Sequence, residues 1–435
     1  MKQISEISTI IEPQKAVIVS VNLGDDELFY YQLEELKNLC FASNIEVLDT
    51  VIQNLNAIVP STYIGTGKLN ELKSIASALE ADYIIFNDEL SPSQMKNIAH
   101  LIGDNIEVID RTTVILEIFA SRARSKTAML QVEIAKLKYF LPRLVGLRRY
   151  LSRTAGGGAG GGGARRGLGE TKLELDRRHI ERRISKANAE LKAITKSRET
   201  ARKLRHVNNI PIVSVVGYTN AGKSSTINAI LNHCNKDNPK TLFAQDMLFA
   251  TLDTTTRMVK LTNNHEFLIT DTVGFVSKLP HHLIESFKST LEEIKEADLI
   301  VHIIDASSPF MNLQIETTQN VLTELGASSI PTIYVFNKFD LVKSPELITF
   351  QFKDALFLSA ATSYGLEELL EKIDEFLYSH LETHQLLIPY TNGEIYSHLK
   401  ETAEVLKTEY KEKGIFVEAK LTPRLKALYG DLIIY

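Results

Sequence analysis

Residues 217–224 read G-Y-T-N-A-G-K-S, directly after the apolar run IVSVVG and directly before the helix-period stretch STINAILN. Strand, glycine loop and helix in that order are the context in which G-x-x-x-x-G-K-[ST] cradles phosphate. The feature constrains the fold because it needs a buried strand on one side and a helix N-terminus on the other. Glycines let backbone N–H groups wrap the phosphate oxygens, and the helix adds the positive end of its dipole. Lys223 is expected to reach the β- and γ-phosphates, and Ser224 to ligate magnesium. Gly217, Tyr218, Thr219, Asn220, Ala221 and Gly222 complete the predicted cradle.

Asp271-Thr272-Val273-Gly274-Phe275 follows the apolar run FLIT, with Asp271 47 residues beyond Ser224. A strand that delivers Asp271 beside the loop supplies the carboxylate of a magnesium–triphosphate site. Gly274 lets the backbone approach the γ-phosphate and flip when that group leaves. Upstream, Phe249-Ala250-Thr251-Leu252-Asp253-Thr254-Thr255-Thr256 offers several hydroxyls in a predicted loop. One of them is expected to complete the magnesium shell, and the residues alone leave Thr251 and Thr255 both open. Further on, Asn337-Lys338-Phe339-Asp340 ends a predicted strand as N-K-x-D. A carboxylate such as Asp340 accepts the ring N–H and the exocyclic amine of guanine, a donor pair adenine lacks. Hydrogen-bonded sites of that kind discriminate by about 10⁴ or more. Ser359-Ala360-Ala361, after the next apolar run, can offer backbone donors to the guanine carbonyl oxygen. GTP is the expected substrate.

The surrounding chain is long enough, at 435 residues, for two to four domains. Apolar runs at 16–23 and 82–88, separated by helix-period stretches such as 28–40, predict an N-terminal α/β domain over residues 1–125. Within it Gly65-Thr66-Gly67-Lys68 lacks the full phosphate-loop spacing and reads as a turn before a helix. Residues 126–207 predict a helical hairpin: Leu130, Ile134, Leu137, Leu141 and Leu144 mark one helix, which Pro142 ends or kinks. Leu173, Ile180, Ala187, Ile194 and Ala201 fall every seven residues in the other, with Ile184 and Leu191 in the companion seam. Residues 208–378 alternate strands (212–217, 267–272, 299–306, 332–338, 355–360) with helices, which predicts a doubly wound, mainly parallel sheet. Residues 379–435 read as a small C-terminal α/β domain of strand, helix (393–410), strand (414–421) and final strand (431–435). The predicted class is α/β multidomain.

Charge points to a partner. The chain carries a net charge of −5, yet residues 143–206 hold 18 Lys/Arg against 6 Asp/Glu. A basic block in an otherwise acidic chain suits a polyanion, with nucleic acid ahead of a membrane surface. Between the two predicted helices, seven of the nine residues 155–163 are glycine, flanked by Arg148, Arg149, Arg153, Arg165 and Arg166. A plain linker has no need of arginines on both sides or of long helices to support it. Cys40 and Cys234 form neither a disulfide framework nor a metal spacing, as expected in a reducing cytosol. The N-terminus has no apolar leader core and no run of 18 apolar residues occurs, so secretion and membrane spanning are not expected.

Taken in order, GYTNAGKS, FATLD, DTVGF, NKFD and SAA resemble the translation-factor class of P-loop GTPases. The glycine-rich tip, GETKLELDRR (169–178), FVSKLPHHLIESFKSTLEE (275–293) and DRTTVILEIFASRARSKTAMLQVE (110–133) narrow the resemblance to the HflX family of ribosome-associated GTPases. It spans nearly the whole chain. It departs from the family pattern at 164–170, where a proline is usual between the glycines, and at Thr254, where a proline is usual. The resemblance implies a cytoplasmic monomer on the large ribosomal subunit and its rRNA, with the hairpin reaching toward the peptidyl-transferase region. It implies separation of stalled or idle ribosomes into subunits, particularly under stress, and Thr251 as the second magnesium contact. The alternative reading is a GTP-dependent RNA-remodelling or ribosome-assembly factor.

Catalysis is expected to be slow without the ribosome. Many small GTPases orient water with a glutamine after the D-x-x-G glycine, where this chain has Phe275. His281 and His282 read as surface or packing residues. Asn220, Lys223 and Gly274 are the catalytic candidates, none of them certain, and in related GTPases an asparagine placed like Asn220 helps hold potassium.

Overall fold

A computed structural model describes residues 13–144, 168–207, 210–234, 249, 255–280, 283, 292–343, 345, 346, 348, 352 and 355–434. Contacts divide the chain into one unit of residues 1–191 with 278–286, and a second of residues 192–277 with 287–435.

The first unit is built on β1 (Gln14–Asn22), β2 (Ile45–Asn54), β3 (Tyr83–Phe86) and β4 (Glu107–Asp110), all parallel in the order β2-β1-β3-β4. The last seven residues of β1 are buried on both faces, as a central parallel strand requires. The helices α1 (Asp26–Ala42), α2 (Thr66–Ala78), α3 (Pro92–Ile102) and α4 (Arg111–Arg122) complete the α/β pattern. Gly65 caps α2 and Lys68 pairs with Glu71, so the look-alike phosphate loop is a helix start, as its spacing predicts. A capping box between Ser91 and Gln94, with Pro92 in the first turn, begins α3.

The next two helices, α5 (Lys126–Phe140) and α6 (Leu168–Val207), carry the predicted hairpin. Pro142 ends α5 in a 3₁₀ turn, Leu141–Arg143. Glu190 pairs with Lys126 at 3.3 Å, Arg183 with Glu133 at 2.5 Å, and Ile180 packs on Leu137 and Leu144. The rising position on one helix matched to the falling position on the other makes them antiparallel. Ile180 and Ala187 of the heptad are buried, with Ile184 packed beside them. The end of α5 is pinned to the strand ends. Arg143 donates to Leu90 O and to Glu89, each at 2.8 Å, and lies over the Tyr139 ring. Tyr139 in turn donates to the buried Asp110.

The second unit contains a six-stranded sheet in the order β10-β9-β8-β5-β7-β6. Its strands are β5 (Ile212–Gly217), β6 (Thr255–Lys260), β7 (Glu266–Asp271), β8 (Leu299–Asp305), β9 (Thr332–Asn337) and β10 (Leu356–Phe357). All neighbours are parallel except β6 and β7. Thr255 and Thr256, expected in a loop, instead pair into the antiparallel edge strand β6. Helices α7 (Lys223–Cys234), α8 (Met311–Glu324) and α9 (Leu366–Tyr378) flank the sheet, and α7 and α9 cover a common apolar core with it.

A third, antiparallel sheet, β11-β13-β12, follows: β11 (Thr383–Ile388), β12 (Glu404–Lys411) and β13 (Gly414–Lys420), with α10 (Gly393–Thr402) and α11 (Pro423–Tyr429). Here two expectations are corrected. The predicted helix 393–410 ends at Thr402, and the backbone turns extended at Ala403 (φ −125°, ψ 158°) so that 404–411 pairs with β13. Residues 431–434 form no strand: a 3₁₀ turn, Gly430–Leu432, precedes one bridge from Ile433 to Leu386, and Tyr435 lies outside the described residues.

Candidate functional site

Every motif of the predicted nucleotide site that the structure describes sits at the carboxyl end of the six-stranded sheet, where α/β folds bind ligands. The loop after β5 is set by sterics. Gly217 adopts φ +148°, and a Cβ there would stand 2.2 Å from Ile303 O. Gly222 adopts φ +95°, and a Cβ would stand 2.1 Å from Asn337 Nδ2. The first contact is with rigid backbone, the second would push the Asn337 amide aside, and both φ values are ones that side chains rarely adopt. Asn220, at the exposed crest, also has positive φ (+59°).

Lys223 opens α7 and is buried, its ammonium donating to Gly217 O at 3.0 Å and Tyr218 O at 2.7 Å. Burial lowers its pKa to about 8, against an opposing pull from Asp271. Ser224 Oγ donates to Asp271 Oδ2 at 2.7 Å, so the loop hydroxyl and the β7 carboxylate meet as the spacing predicts. Beyond Asp271, Thr272 Oγ1 donates to Val215 O at 2.7 Å. Phe275 exchanges backbone bonds with the loop: its N–H donates to Gly217 O at 3.2 Å, and its carbonyl accepts from Thr219 N at 2.7 Å. Tyr218 closes the same seam, its hydroxyl accepting from Ser277 N at 2.5 Å. Gly274 therefore runs tight against the cradle: a Cβ would lie 2.9 Å from Lys223 Nζ and 2.8 Å from Thr219 Cγ2. Val273 and the Phe275 side chain are buried, and no polar group of Phe275 is available to hold water.

At the base-recognition end, Asn337 is a strut. Its Nδ2 donates to Ala221 O at 2.8 Å and its Oδ1 accepts from Ala360 N at 3.0 Å, which joins the cradle to the Ser359-Ala360-Ala361 loop. Lys338 sits at φ +60° and pairs with Asp305 at 2.7 Å. Phe339 stacks on Tyr364, and Asp340 presents its carboxylate to solvent. Of the upstream loop, Phe249 is buried at φ +54°, whereas Ala250, Thr251, Leu252 and Asp253 lie outside the described residues. So do His281 and His282, the glycine-rich tip and its five flanking arginines. Thr255 lies directly across from Asp271 in the β6–β7 register, and its Oγ1 is buried without a hydrogen-bond partner among the described residues.

One neighbour escaped the sequence reading. His302, in β8 beside Val216, is buried, and burial together with the Lys223 charge lowers its pKa to about 3. It is neutral at physiological pH and donates no charge to the site. The signal was a single polar residue inside the apolar run LIVHIIDA.

Comparison with known proteins agrees with this geometry. Residues 30–120 match the family "GTP-binding GTPase N-terminal", residues 122–205 "GTP-binding GTPase Middle Region", and residues 212–338 "50S ribosome-binding GTPase". A GTPase HflX of Caldanaerobacter subterraneus is 44% identical over 97% of this chain and 94% of its own. A GTPase HflX of Escherichia coli K12 is 35% identical over 92% of each chain. Among solved structures, an SsGBP–GDP complex covers 84% of this chain and 99% of its own at 26% identity, with a TM-score of 0.46.

Proposed function

Because the chain belongs to the HflX family of GTPases, we propose that the GTP it hydrolyses serves to separate stalled or idle ribosomes into subunits, particularly under stress. The observation that carries this reading is the basic hairpin. Helices α5 and α6 pair antiparallel along a buried seam, while Arg177, Arg178, Arg182 and Arg183 of α6 stay exposed. A stiff, basic, two-helix arm suits insertion into ribosomal RNA better than contact with a neutral protein surface. The match to a ribosome-binding GTPase description supports the large subunit as the partner. The working form is a cytoplasmic monomer.

The nucleotide residues take separate roles in this reading. Lys223 and the backbone of residues 217–224 hold the phosphates, Asp340 reads guanine, and Asn337 ties the Ala360 loop to the cradle beside it. The paired Ser224 and Asp271 oxygens, with a Thr255 hydroxyl that has no partner among the described residues and lies across from Asp271, form an all-oxygen donor set that fits magnesium. Ser224 would bind the ion, with Thr251 supplying the second contact by family resemblance and Thr255 the alternative. When bound, magnesium neutralises charge on the β- and γ-phosphates. Asn220, exposed at the crest of the loop, is the residue that would hold a potassium ion beside them, by resemblance to related GTPases. With the Phe275 ring buried, this chain lacks a water-orienting side chain at that position, so hydrolysis waits on the ribosome.

Sedimentation through sucrose tests the proposal. With a non-hydrolysable GTP analogue the protein should co-migrate with the large subunit and deplete the 70S peak, and with GDP it should do neither. Co-migration that leaves the 70S peak intact would point instead to an assembly or remodelling factor.

A further inference from the structure

The turn between β6 and β7 does more than reverse the chain. Helix α10 ends at Thr402, and the last carbonyls of any helix lack intrahelical partners. Here those partners come from the turn. Asn264 Nδ2 donates to Lys400 O at 3.0 Å and to Ala403 O at 3.2 Å, and Lys260 Nζ donates to Glu401 O at 2.8 Å. Beside them His265, only 4% exposed, has Nδ1 2.6 Å from Asp374 of α9 and Nε2 3.7 Å from Glu404 of β12. Its ring stacks on Tyr378 with centroids 4.1 Å apart, and Asn263 Nδ2 donates to Asp374 Oδ2 at 2.7 Å. Three segments thus converge on five residues of turn: the end of α9, the end of α10 and the start of β12.

The other end of the same ribbon is the metal end of the nucleotide site. Thr255 begins β6, and Asp271 ends β7 three residues before Gly274. Two six-residue strands paired in register form a stiff element roughly 20 Å long. Such a ribbon cannot shift at one end without moving or breaking contacts at the other. A change at the Thr255–Asp271 end on binding of the γ-phosphate and its metal would be carried along this ribbon.

We infer that Asn264, Lys260 and His265 are positioning residues through which the C-terminal three-stranded sheet and the metal end of the GTP site are coupled. The C-terminal segment then reads the nucleotide, and anything that binds it biases the nucleotide site by the same free energy. The inference rests on GTP binding and is independent of ribosome splitting.

Hydrogen exchange on the full-length protein, bound to GDP or to a non-hydrolysable GTP analogue with magnesium, tests it. Peptides covering 393–411 should exchange at rates that differ by about fivefold or more between the two states. Asn264→Gly removes the capping amide and keeps the left-handed backbone (φ +69°) that Asn264 holds. In that variant the nucleotide dependence should collapse, and the ratio of GTP-analogue to GDP affinity should shift by the factor lost. A cap of purely structural value would instead speed exchange equally in both states and leave the affinity ratio alone. Lys260→Met, at an exposed position, is the second variant and should lose part of the difference should Asn264→Gly fail to fold. Identical exchange at 393–411 with both nucleotides in the unaltered protein overturns the inference, as does a variant that keeps the full difference.

Discussion

Lys223 answers two opposed demands, and their conflict is measurable. A buried ammonium is ready for phosphate but costs the empty site its hydration, which is why its pKa falls to about 8. The unfolded chain holds this proton up to about pH 10.5, so between pH 8 and 10.5 the unfolded state binds more protons than the folded one. By linkage, stability rises with pH across that window, and the cost is fully present below pH 8. Lys223→Met should therefore raise the melting temperature of the nucleotide-free protein at pH 7 while abolishing GTP binding. A loss of stability in that variant would mean that the two carbonyl contacts outweigh desolvation. In the native protein GTP affinity should stay flat below pH 8 and fall above it by up to tenfold per unit, as titration calorimetry can record. Asp340 makes a different prediction. Its exposed carboxylate has only guanine donors to satisfy, so Asp340→Asn should weaken GTP and admit xanthosine triphosphate, whose carbonyl suits an amide donor. An unchanged preference in a competition assay would dismiss Asp340 as the base reader.

Elements were legible where a local rule dictated them and obscure where distant partners did. The seven-residue spacing of α6 is read in its sequence and is realised at Ile180 and Ala187, both buried, with Ile180 packed against Leu137 of α5. Ile180→Ala should accordingly cost about 2–4 kcal/mol in thermal unfolding of the hairpin. Arg183→Ala breaks a pair whose side chains are 44% and 37% exposed, and should cost under about 1 kcal/mol. The opposite ranking would make the ion pairs, rather than the seam, the spine of the hairpin. By contrast, β6 and β12 were missed because their pairing is decided elsewhere. Residues 404–411 carry helix-compatible Glu, Leu and Lys, and become a strand by pairing with β13. The buried Arg111–Glu35 pair joins residues 76 apart, a distance no local pattern spans.

At the scale of the molecule, the nucleotide site was legible because its glycines are steric necessities, whereas the neutral His302 beside Lys223 only interrupts an apolar run. Helix α5 and the first part of α6, to Leu191, fall in one contact-defined unit and the nucleotide loop in the other, while residues 192–207 of α6 belong to the unit of the nucleotide loop. Between the hairpin helices lies the tip, residues 155–163, with arginines at 148, 149, 153, 165 and 166. Glycine permits close backbone approach to crowded RNA, and fixing any residue's backbone costs about 1–2 kcal/mol of entropy. On the proposed function, numerous contacts would have to offset that cost, so binding would select a vacant RNA pocket able to supply them. Each phosphate neutralised releases counterions, and log affinity for large subunits should fall with log salt by up to about 0.9 per contact on duplex RNA. Replacing residues 155–163 with a three-residue turn should leave GTP affinity unchanged, because the loop 217–224 keeps every contact that shapes it. The same replacement should abolish or strongly reduce subunit separation in a light-scattering assay. Arg165→Ala with Arg166→Ala should flatten the salt slope by roughly two contacts' worth and leave the tip's length intact. If the shortened protein still split ribosomes at the normal rate, the glycines would be a linker, and the work of separation would pass to the arginine-bearing face of α6.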